Sequence, residues 1–129
     1  MLNGIKILVA EDNLVNQKIA NYILSKQGAI VKNAMDGNEA IACLLNDRFD
    51  VVLMDLQMPG MDGLEATKYI RGEMNSNVPI IALTADMFAN ETGEYAGAGI
   101  NAYISKPFDP CTLCDLILNL IKEHNYHGR

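Results

Sequence analysis

The sequence predicts an α/β protein whose five-stranded parallel sheet has helices on both faces. Five short apolar runs alternate with segments of helical periodicity, a pattern typical of parallel strands joined by crossover helices. The runs are continuously apolar, as expected for strands that are buried on both sides. They are Ile5–Ala10, Ala29–Val31, Val51–Met54, Ile80–Leu83 and Ala102–Ile104.

The expected strand order places the most apolar runs at the centre of the sheet. The first, third and fourth runs should be central, and the other two should lie at the edges. The flavodoxin-like (βα)5 order 2-1-3-4-5 satisfies this, although periodicity alone does not determine it. In that order ligands bind where strands 1 and 3 end. The 129 residues suffice for one domain, so we expect a single domain over 1–129, compatible with a fragment of a longer protein.

The predicted helices each have one apolar stripe at i, i+3 and i+4 spacing. The stripes expected to be buried are Val15, Ile19, Tyr22 and Ile23 in the first helix, Ala40, Ile41, Leu44 and Leu45 in the second, and Leu113, Leu116, Ile117, Leu120 and Ile121 in the last. Asp36 and Asp62 each precede a Glu by three residues, as in a capping box. Asp109 precedes a proline that suits the first helical position.

The composition bears on partners and compartment. The net charge of −6 argues against nucleic-acid contact by this domain, which needs clustered Lys and Arg. No apolar stretch approaches the roughly 18 residues of a membrane span, so we expect no membrane contact either. Three cysteines and no secretory signal predict a cytoplasmic domain. This is compatible with a parent protein that is anchored in a membrane. Cys111 and Cys114 form a C-x-x-C motif. We interpret them as two small residues on a helix rather than as a metal or redox site.

Polar residues follow four of the five apolar runs. Glu11 and Asp12 come after the first, Asp55 ends the third, and Thr84 and Lys106 follow the fourth and fifth. The carboxyl ends of parallel strands meet at one edge of a sheet, so these side chains should converge. Asp55 is expected to stay exposed there, because a loop with proline and glycine follows it.

The acidic residues predict a magnesium site. Clustered carboxylates repel one another unless a cation lies among them, and Mg²⁺ (or Mn²⁺) takes oxygen ligands. Asp12 and Asp55 would bind directly, Glu11 directly or through water, and the backbone carbonyl of Gln57 would add a ligand. In the alternative, the two acids after the first run only cap the first helix through Asp12 or Asn13, which explains one acid but not the cluster.

Asp55 is the predicted nucleophile of a phosphoryl transfer that forms an acyl phosphate. Such a transfer needs positive charge and hydrogen-bond donors on the phosphoryl oxygens. Lys106 supplies an ammonium, and the Thr84 hydroxyl and Ala85 amide supply donors. Pro107 restricts the Lys106 backbone, and the bond between them is a candidate for the cis form.

At these positions the sequence resembles the receiver domain of two-component response regulators over essentially its whole length. The matching motifs are Glu11–Asn13, Leu53–Gly63, Leu83–Ala85 and Ser105–Phe108. The stretches Glu11–Gln17 and Asp55–Pro59 are most similar to receivers of hybrid sensor histidine kinases.

The resemblance implies a role for each residue. Asp55 would accept the phosphoryl group from a histidine kinase or a histidine phosphotransfer domain, and Glu11, Asp12, Asp55 and the Gln57 carbonyl would hold the metal. Thr84 would be the switch hydroxyl and Lys106 the cation that contacts the phosphate. Tyr103 would be the switch aromatic, although an edge-strand tyrosine with a half-buried ring is the plainer interpretation. Asp86 is expected to tune phosphate lifetime or partner access.

The resemblance also implies an output. Phosphorylation would change the face formed by the helix predicted over 86–99, the fifth strand and the last helix, with a homodimer as one outcome. The isolated domain would promote its own phosphorylation and dephosphorylation, and a hybrid parent would be a protein histidine kinase.

Three alternative functions are weaker. An aspartyl-phosphate hydrolase would have a second acid where Gln57 stands, and a flavin protein would not have acids at its phosphate loop. A phosphorylation-independent pseudo-receiver, which is a pure interaction module, would be expected to lack Asp55, Thr84 or Lys106.

Overall fold

A computed structural model describes residues 1–85 and 97–127, and strands and helices alternate as predicted as far as residue 84. The strands are β1 (Lys6–Ala10), β2 (Ile30–Ala34), β3 (Val51–Asp55), β4 (Ile80–Thr84) and β5 (Ala102–Ser105). The helices are α1 (Leu14–Lys26), α2 (Gly37–Asn46), α3 (Gly63–Gly72) and the C-terminal helix α4 (Pro110–His127). Most of the helix predicted over 86–99 lies outside the described residues.

The strands form one parallel sheet in the order β2-β1-β3-β4-β5, which confirms the predicted fold and order. All five residues of β3 and of β4 are buried, whereas β2 and β5 are partly exposed. The continuous apolar runs therefore lie at the centre of the sheet, as their composition requires. No helix in the described part of the chain has the length and apolarity needed to cross a membrane.

Two hydrophobic layers cover the sheet. Alternate strand residues face opposite sides, so β1 contributes Leu8 to one layer and Ile7 to the other. The first layer packs against α2 and α3 through Ala40, Ile41, Ala66 and Ile70. The second layer packs against α1 and α4 through Ala20, Leu24, Leu113 and Ile117. Packing on both sides of the sheet therefore positions the carboxyl ends of its strands.

The stripe predicted to be buried on α1 is wrong for three of its four residues, and only Ile23 packs against the second layer. Val15 and Tyr22 are each 66% exposed and Ile19 is 48% exposed, while Ala20 and Leu24 are fully buried. The two faces of this helix both have apolar residues at helical spacing, and packing against the sheet selects the one that contains Ala20 and Leu24.

The stripe predicted on α2 is correct apart from one residue. Ala40 and Ile41 are buried and Leu44 packs against them, but Leu45 is 66% exposed. The exposed residue lies at the edge of a stripe that is narrower than the sequence pattern indicates.

Side-chain caps start the helices at the predicted residues. Asp36, Asp62 and Asp109 each accept a hydrogen bond from the backbone amide three residues further along, at 2.8, 2.9 and 3.0 Å. At α1 the cap is Asn13, whose Oδ1 accepts from the Asn16 amide at 3.0 Å. Because Asn13 fills this role, the carboxylate of Asp12 is not needed as the cap.

Candidate functional site

The carboxyl ends of the central strands bring three acids together. Glu11 and Asp12 follow β1 directly, and Asp55 is the last residue of the neighbouring strand β3. One carboxylate oxygen from each of the three lies within 4.8 Å of the others. Glu11 is 1% exposed and Asp55 is 5% exposed, so little water screens their mutual repulsion.

Lys106 reaches this cluster from the end of β5. Its Nζ lies 2.9 Å from Glu11 Oε1 and 2.9 Å from Asp55 Oδ2. Burial disfavours the charged ammonium, but the hydrogen bonds to the two carboxylates outweigh it and raise the pKa of Lys106. The peptide bond between Lys106 and Pro107 is cis. The ammonium therefore faces the acids, as the sequence predicts.

The two carboxylate oxygens of Glu11 have different surroundings. Oε1 accepts from Lys106, while Oε2 is buried and accepts no hydrogen bond from the described residues. Burial, and then the neighbouring Asp55, raise the pKa of Glu11 to about 7, although Lys106 opposes this. A buried carboxylate oxygen with no donor is costly unless something positive occupies the space beside it.

Asp55 differs from the expectation in its exposure. The residue is 5% exposed, whereas the sequence analysis expected an exposed carboxylate. Oδ2 accepts from Lys106, and Oδ1 accepts from the Gln57 amide at 3.0 Å. The loop that was expected to leave the carboxylate open instead folds its backbone onto it. Both carboxylate oxygens of Asp55 therefore accept a hydrogen bond, one from Lys106 and one from the Gln57 amide.

The other predicted residues lie on the neighbouring strands. Thr84 ends β4 and is 7% exposed, and its carbonyl accepts from the Lys106 amide at 2.8 Å. Tyr103 lies on β5 opposite Ala82 and is 37% exposed, in agreement with a half-buried edge tyrosine. Asp86 lies outside the described residues. Thr84 and Lys106 therefore share the sheet edge with the acids.

Gly63 is a positioning residue that the sequence analysis did not identify as part of the site. A Cβ at this position would lie 2.3 Å from the backbone oxygen of Asp55 and 2.8 Å from Cγ of Met54. Only glycine lets the start of α3 approach the end of β3 this closely. The available signal was a glycine at the start of a helix, where glycine has a conformational cost.

Gln17 is a second such residue. Its Nε2 donates to the backbone carbonyl of Glu11 at 3.0 Å and lies 3.4 Å from the sulfur of Met35. It thereby ties α1 to the end of β1. A contact between a strand end and a helix six residues later leaves no local signal in the sequence.

The donor set fits a divalent cation. The three clustered side chains offer only carboxylate oxygens, which hard cations such as Mg²⁺ prefer. Oε2 of Glu11, which accepts no hydrogen bond from the described residues, is a ready ligand. A cation would offset the burial and the neighbouring Asp55, which together raise the pKa of Glu11. The arrangement can therefore hold a metal beside the Asp55 carboxylate.

Comparisons with known proteins agree with this site. The family model described as response regulator receiver domain matches residues 7–118. The chain is 37% identical to hybrid signal transduction histidine kinase B of Dictyostelium discoideum, over 92% of this chain and 6% of that protein. It is 38% identical to sensor protein GacS of Pseudomonas syringae pv. syringae, over 88% of this chain and 13% of that protein. The chain thus spans a small part of these relatives.

A solved structure of a receiver domain is also similar to this chain. The receiver domain of sensor histidine kinase PA1611 from Pseudomonas aeruginosa PAO1 is 38% identical, with a TM-score of 0.85 over 92% of this chain and 98% of that one. A magnesium ion is coordinated in the active site cleft of that protein. From the match over residues 7–118 and these similarities, we conclude that the chain belongs to the response regulator receiver domain family, with relatives among the hybrid histidine kinases.

Proposed function

We propose that the chain is the phosphoacceptor receiver of a two-component or phosphorelay system, with Asp55 as the acceptor. The observation that supports this most is the placement of Lys106 Nζ 2.9 Å from Asp55 Oδ2, beside the acidic cluster of Glu11 and Asp12. A carboxylate that is next to both a cation and a metal-binding cluster has the groups that phosphoryl transfer requires.

In the proposed reaction an oxygen of Asp55 attacks the phosphorus of a phosphohistidine. An O–P bond forms, the P–N bond breaks, and the imidazole nitrogen leaves with the electron pair of that bond. Lys106 moves its ammonium from the carboxylate oxygens to a phosphoryl oxygen, which it contacts as a point charge. The Thr84 hydroxyl and the Ala85 amide donate to another oxygen. The Gln57 amide holds Oδ1 of Asp55 during the attack.

The proposed metal ligands are the carboxylates of Glu11, Asp12 and Asp55 together with the backbone carbonyl of Gln57. Mg²⁺ or Mn²⁺, when bound, would neutralise the acids and the charge of the incoming phosphoryl group. Oε2 of Glu11, which accepts no hydrogen bond from the described residues, and the oxygen-only donor set support this assignment.

The proposed switch consists of Thr84 and Tyr103. Once Asp55 is phosphorylated, Thr84 moves toward the phosphate and Tyr103 turns inward. Tyr103 is 37% exposed, so an inward turn of its ring can bury further surface. The face that contains β5 and α4 then changes, together with the helix predicted over 86–99, and one outcome is a homodimer.

An exposed apolar stripe on α1 supports a docking site for the partner that bears the phosphohistidine. The stripe consists of Leu14, Val15, Ile19 and Tyr22, which are 48–66% exposed. It starts two residues after Asp12, so a partner on it would lie next to the acidic cluster. The partner is a histidine kinase or a histidine phosphotransfer domain. We propose that this domain contacts neither nucleic acid nor a membrane.

We further propose that residues 1–129 are a single receiver domain of a longer cytoplasmic or membrane-anchored hybrid histidine kinase. The small share of each relative that the chain spans, 6% and 13%, supports a modular parent. The domain by itself would promote its own phosphorylation and dephosphorylation, and the kinase activity would reside in the rest of the parent.

Intact mass spectrometry after incubation with acetyl phosphate and Mg²⁺ tests the proposal. We expect one labile phosphoryl group on the wild type and none on Asp55→Asn. Asp50→Asn is the matched control, because Asp50 lies just before the opposite end of β3 and should leave uptake intact. Chelation of the metal should also prevent uptake. Undiminished uptake by Asp55→Asn would contradict the assignment of Asp55, and no uptake by the wild type would favour the pseudo-receiver.

A further inference from the structure

Two cysteines at the start of α4 have no part in the proposed phosphorylation. Cys111 and Cys114 lie in the first turns of this helix, and neither forms a disulfide. Cys111 is exposed and Cys114 is 7% exposed. Both line one surface cavity of about 190 Å³, together with Met1, Gln27, Pro110 and Asp115. The two side chains therefore open onto the same space.

Helix geometry places the pair close to bonding distance. Residues three apart share a face of a helix, with Cα atoms about 5 Å apart. Disulfides span Cα separations of roughly 4.4–6.8 Å, but they need Cβ atoms about 3.8 Å apart, closer than the roughly 5–6 Å of helical neighbours. A bond between the two sulfurs therefore requires the first turn to tighten. Helix starts can do this, since their first amides have no partner within the helix.

We propose that Cys111 and Cys114 are an oxidisable dithiol that hydroperoxides convert reversibly to an intrahelical disulfide. The Cys111 thiolate attacks one oxygen of hydrogen peroxide and the O–O bond breaks. A sulfenic acid forms, and hydroxide leaves and takes up the proton that the Cys111 thiol lost, which gives the first water. The sulfur of Cys114 then attacks that of Cys111, an S–S bond forms, and water leaves with the proton of the second thiol. In total two thiols lose two electrons and two protons, and hydrogen peroxide becomes two waters.

The surroundings of the two sulfur atoms indicate which thiol reacts with the peroxide first. Burial, and then the charges of Cys111 and Asp115, raise the pKa of Cys114, so this thiol is the poorer first nucleophile. Cys111 is exposed and meets the oxidant first. Cys114 is packed in the layer between α4 and the sheet, which keeps it in reserve as the resolving thiol. The inference does not depend on the proposed phosphorylation.

Thiol counting after peroxide treatment tests the inference on the folded chain. We expect hydrogen peroxide to remove two hydrogens, to protect Cys111 and Cys114 from alkylation, and to leave Cys43 reactive. Dithiothreitol should restore the two thiols. Cys111→Ser should lose the effect, and Cys43→Ser should retain it. Cys111 is exposed, so its variant should fold even where Cys114→Ser does not, and circular dichroism checks this.

Three results would overturn the inference. One is accumulation of sulfinic or sulfonic acid on Cys111 with no S–S bond. The second is a covalent dimer through Cys111 in place of the internal bond. The third is the same loss of hydrogens in Cys111→Ser as in the wild type, which would place the disulfide elsewhere.

Discussion

Lys106 Nζ lies 2.9 Å from Asp55 Oδ2, although the two residues are 51 positions apart in the sequence. The same ammonium lies 2.9 Å from Glu11 Oε1, so it is the positive charge held between two buried acids. The ammonium and a bound metal would therefore lie beside the same carboxylates and repel each other. The first prediction follows from this competition.

Replacing Lys106 by Met should strengthen metal binding while it weakens phosphorylation. The variant removes a positive charge that repels Mg²⁺ from its proposed ligands. We expect Mg²⁺ affinity to rise about tenfold, the equivalent of about 1.4 kcal/mol. Isothermal titration calorimetry measures the affinity. Lys122→Met is the control, because Lys122 is exposed on α4 and its loss changes the net charge equally. Unchanged or weaker binding by Lys106→Met would contradict the electrostatic account.

The titration of Glu11 predicts a pH dependence of stability in the metal-free protein. Burial first, and then Asp55, raise the pKa of Glu11 from 4.5 to about 7. The folded state thus holds this proton more tightly than the unfolded state does. Its contribution to stability is complete below pH 4.5 and is lost as the pH rises to about 7.

Urea unfolding in EDTA measures this contribution by comparing the wild type with Glu11→Gln. The variant cannot titrate at this position and resembles the protonated carboxyl group. We expect the stability of the wild type, relative to the variant, to fall between pH 4.5 and about 7 and then to level off. A difference that is constant or increases with pH would show that Glu11 is already ionised at low pH.

Gly63→Ala should destabilise the protein and slow phosphorylation. The new Cβ would lie 2.3 Å from the Asp55 backbone oxygen, so β3 or α3 must shift. Overpacking of this kind costs about 1–3 kcal/mol. Gly72→Ala is the matched control in the same helix, because its Cβ would have no atom within 4 Å. Urea unfolding compares the two, and equal stability would show that the close approach of α3 to β3 has no consequence.

Charged substitutions on the α1 stripe should separate partner docking from chemistry. We expect Ile19→Glu to slow phosphoryl transfer from a phosphorylated histidine phosphotransfer domain by at least about tenfold, as loss of an interface anchor does. Uptake from acetyl phosphate should be unchanged, because the small donor needs no docking surface. Leu45→Glu, at another exposed apolar position on α2, is the control. Equal transfer rates for the two variants would remove α1 from the interface.

The fold could be predicted from the sequence because β3 and β4, at the centre of the sheet, are almost entirely apolar. Val51–Asp55 and Ile80–Thr84 are buried along their whole length, so their burial does not depend on register. The face of α1 could not be predicted, since Ala20 and Val15 both belong to apolar stripes of helical spacing. Contact with the sheet chooses between them.

The site could be predicted as far as it depends on strand ends. Glu11, Asp55 and Lys106 each follow or end a strand, and parallel strands bring their ends together. The burial of Asp55 could not be predicted, because it depends on how the following loop folds and brings the Gln57 amide onto the carboxylate. The requirement for glycine at 63 is equally non-local, since it comes from the approach of α3 to the backbone of β3.

Reductive trapping of the phosphorylated protein tests the central claim most directly. Borohydride converts an aspartyl phosphate to homoserine, so peptide mass spectrometry after treatment with acetyl phosphate, Mg²⁺ and borohydride locates the acceptor. The account predicts homoserine at position 55 alone, and none when Mg²⁺ is withheld. Homoserine at position 12, or phosphate that survives hydroxylamine and maps to a hydroxyl side chain, would contradict it.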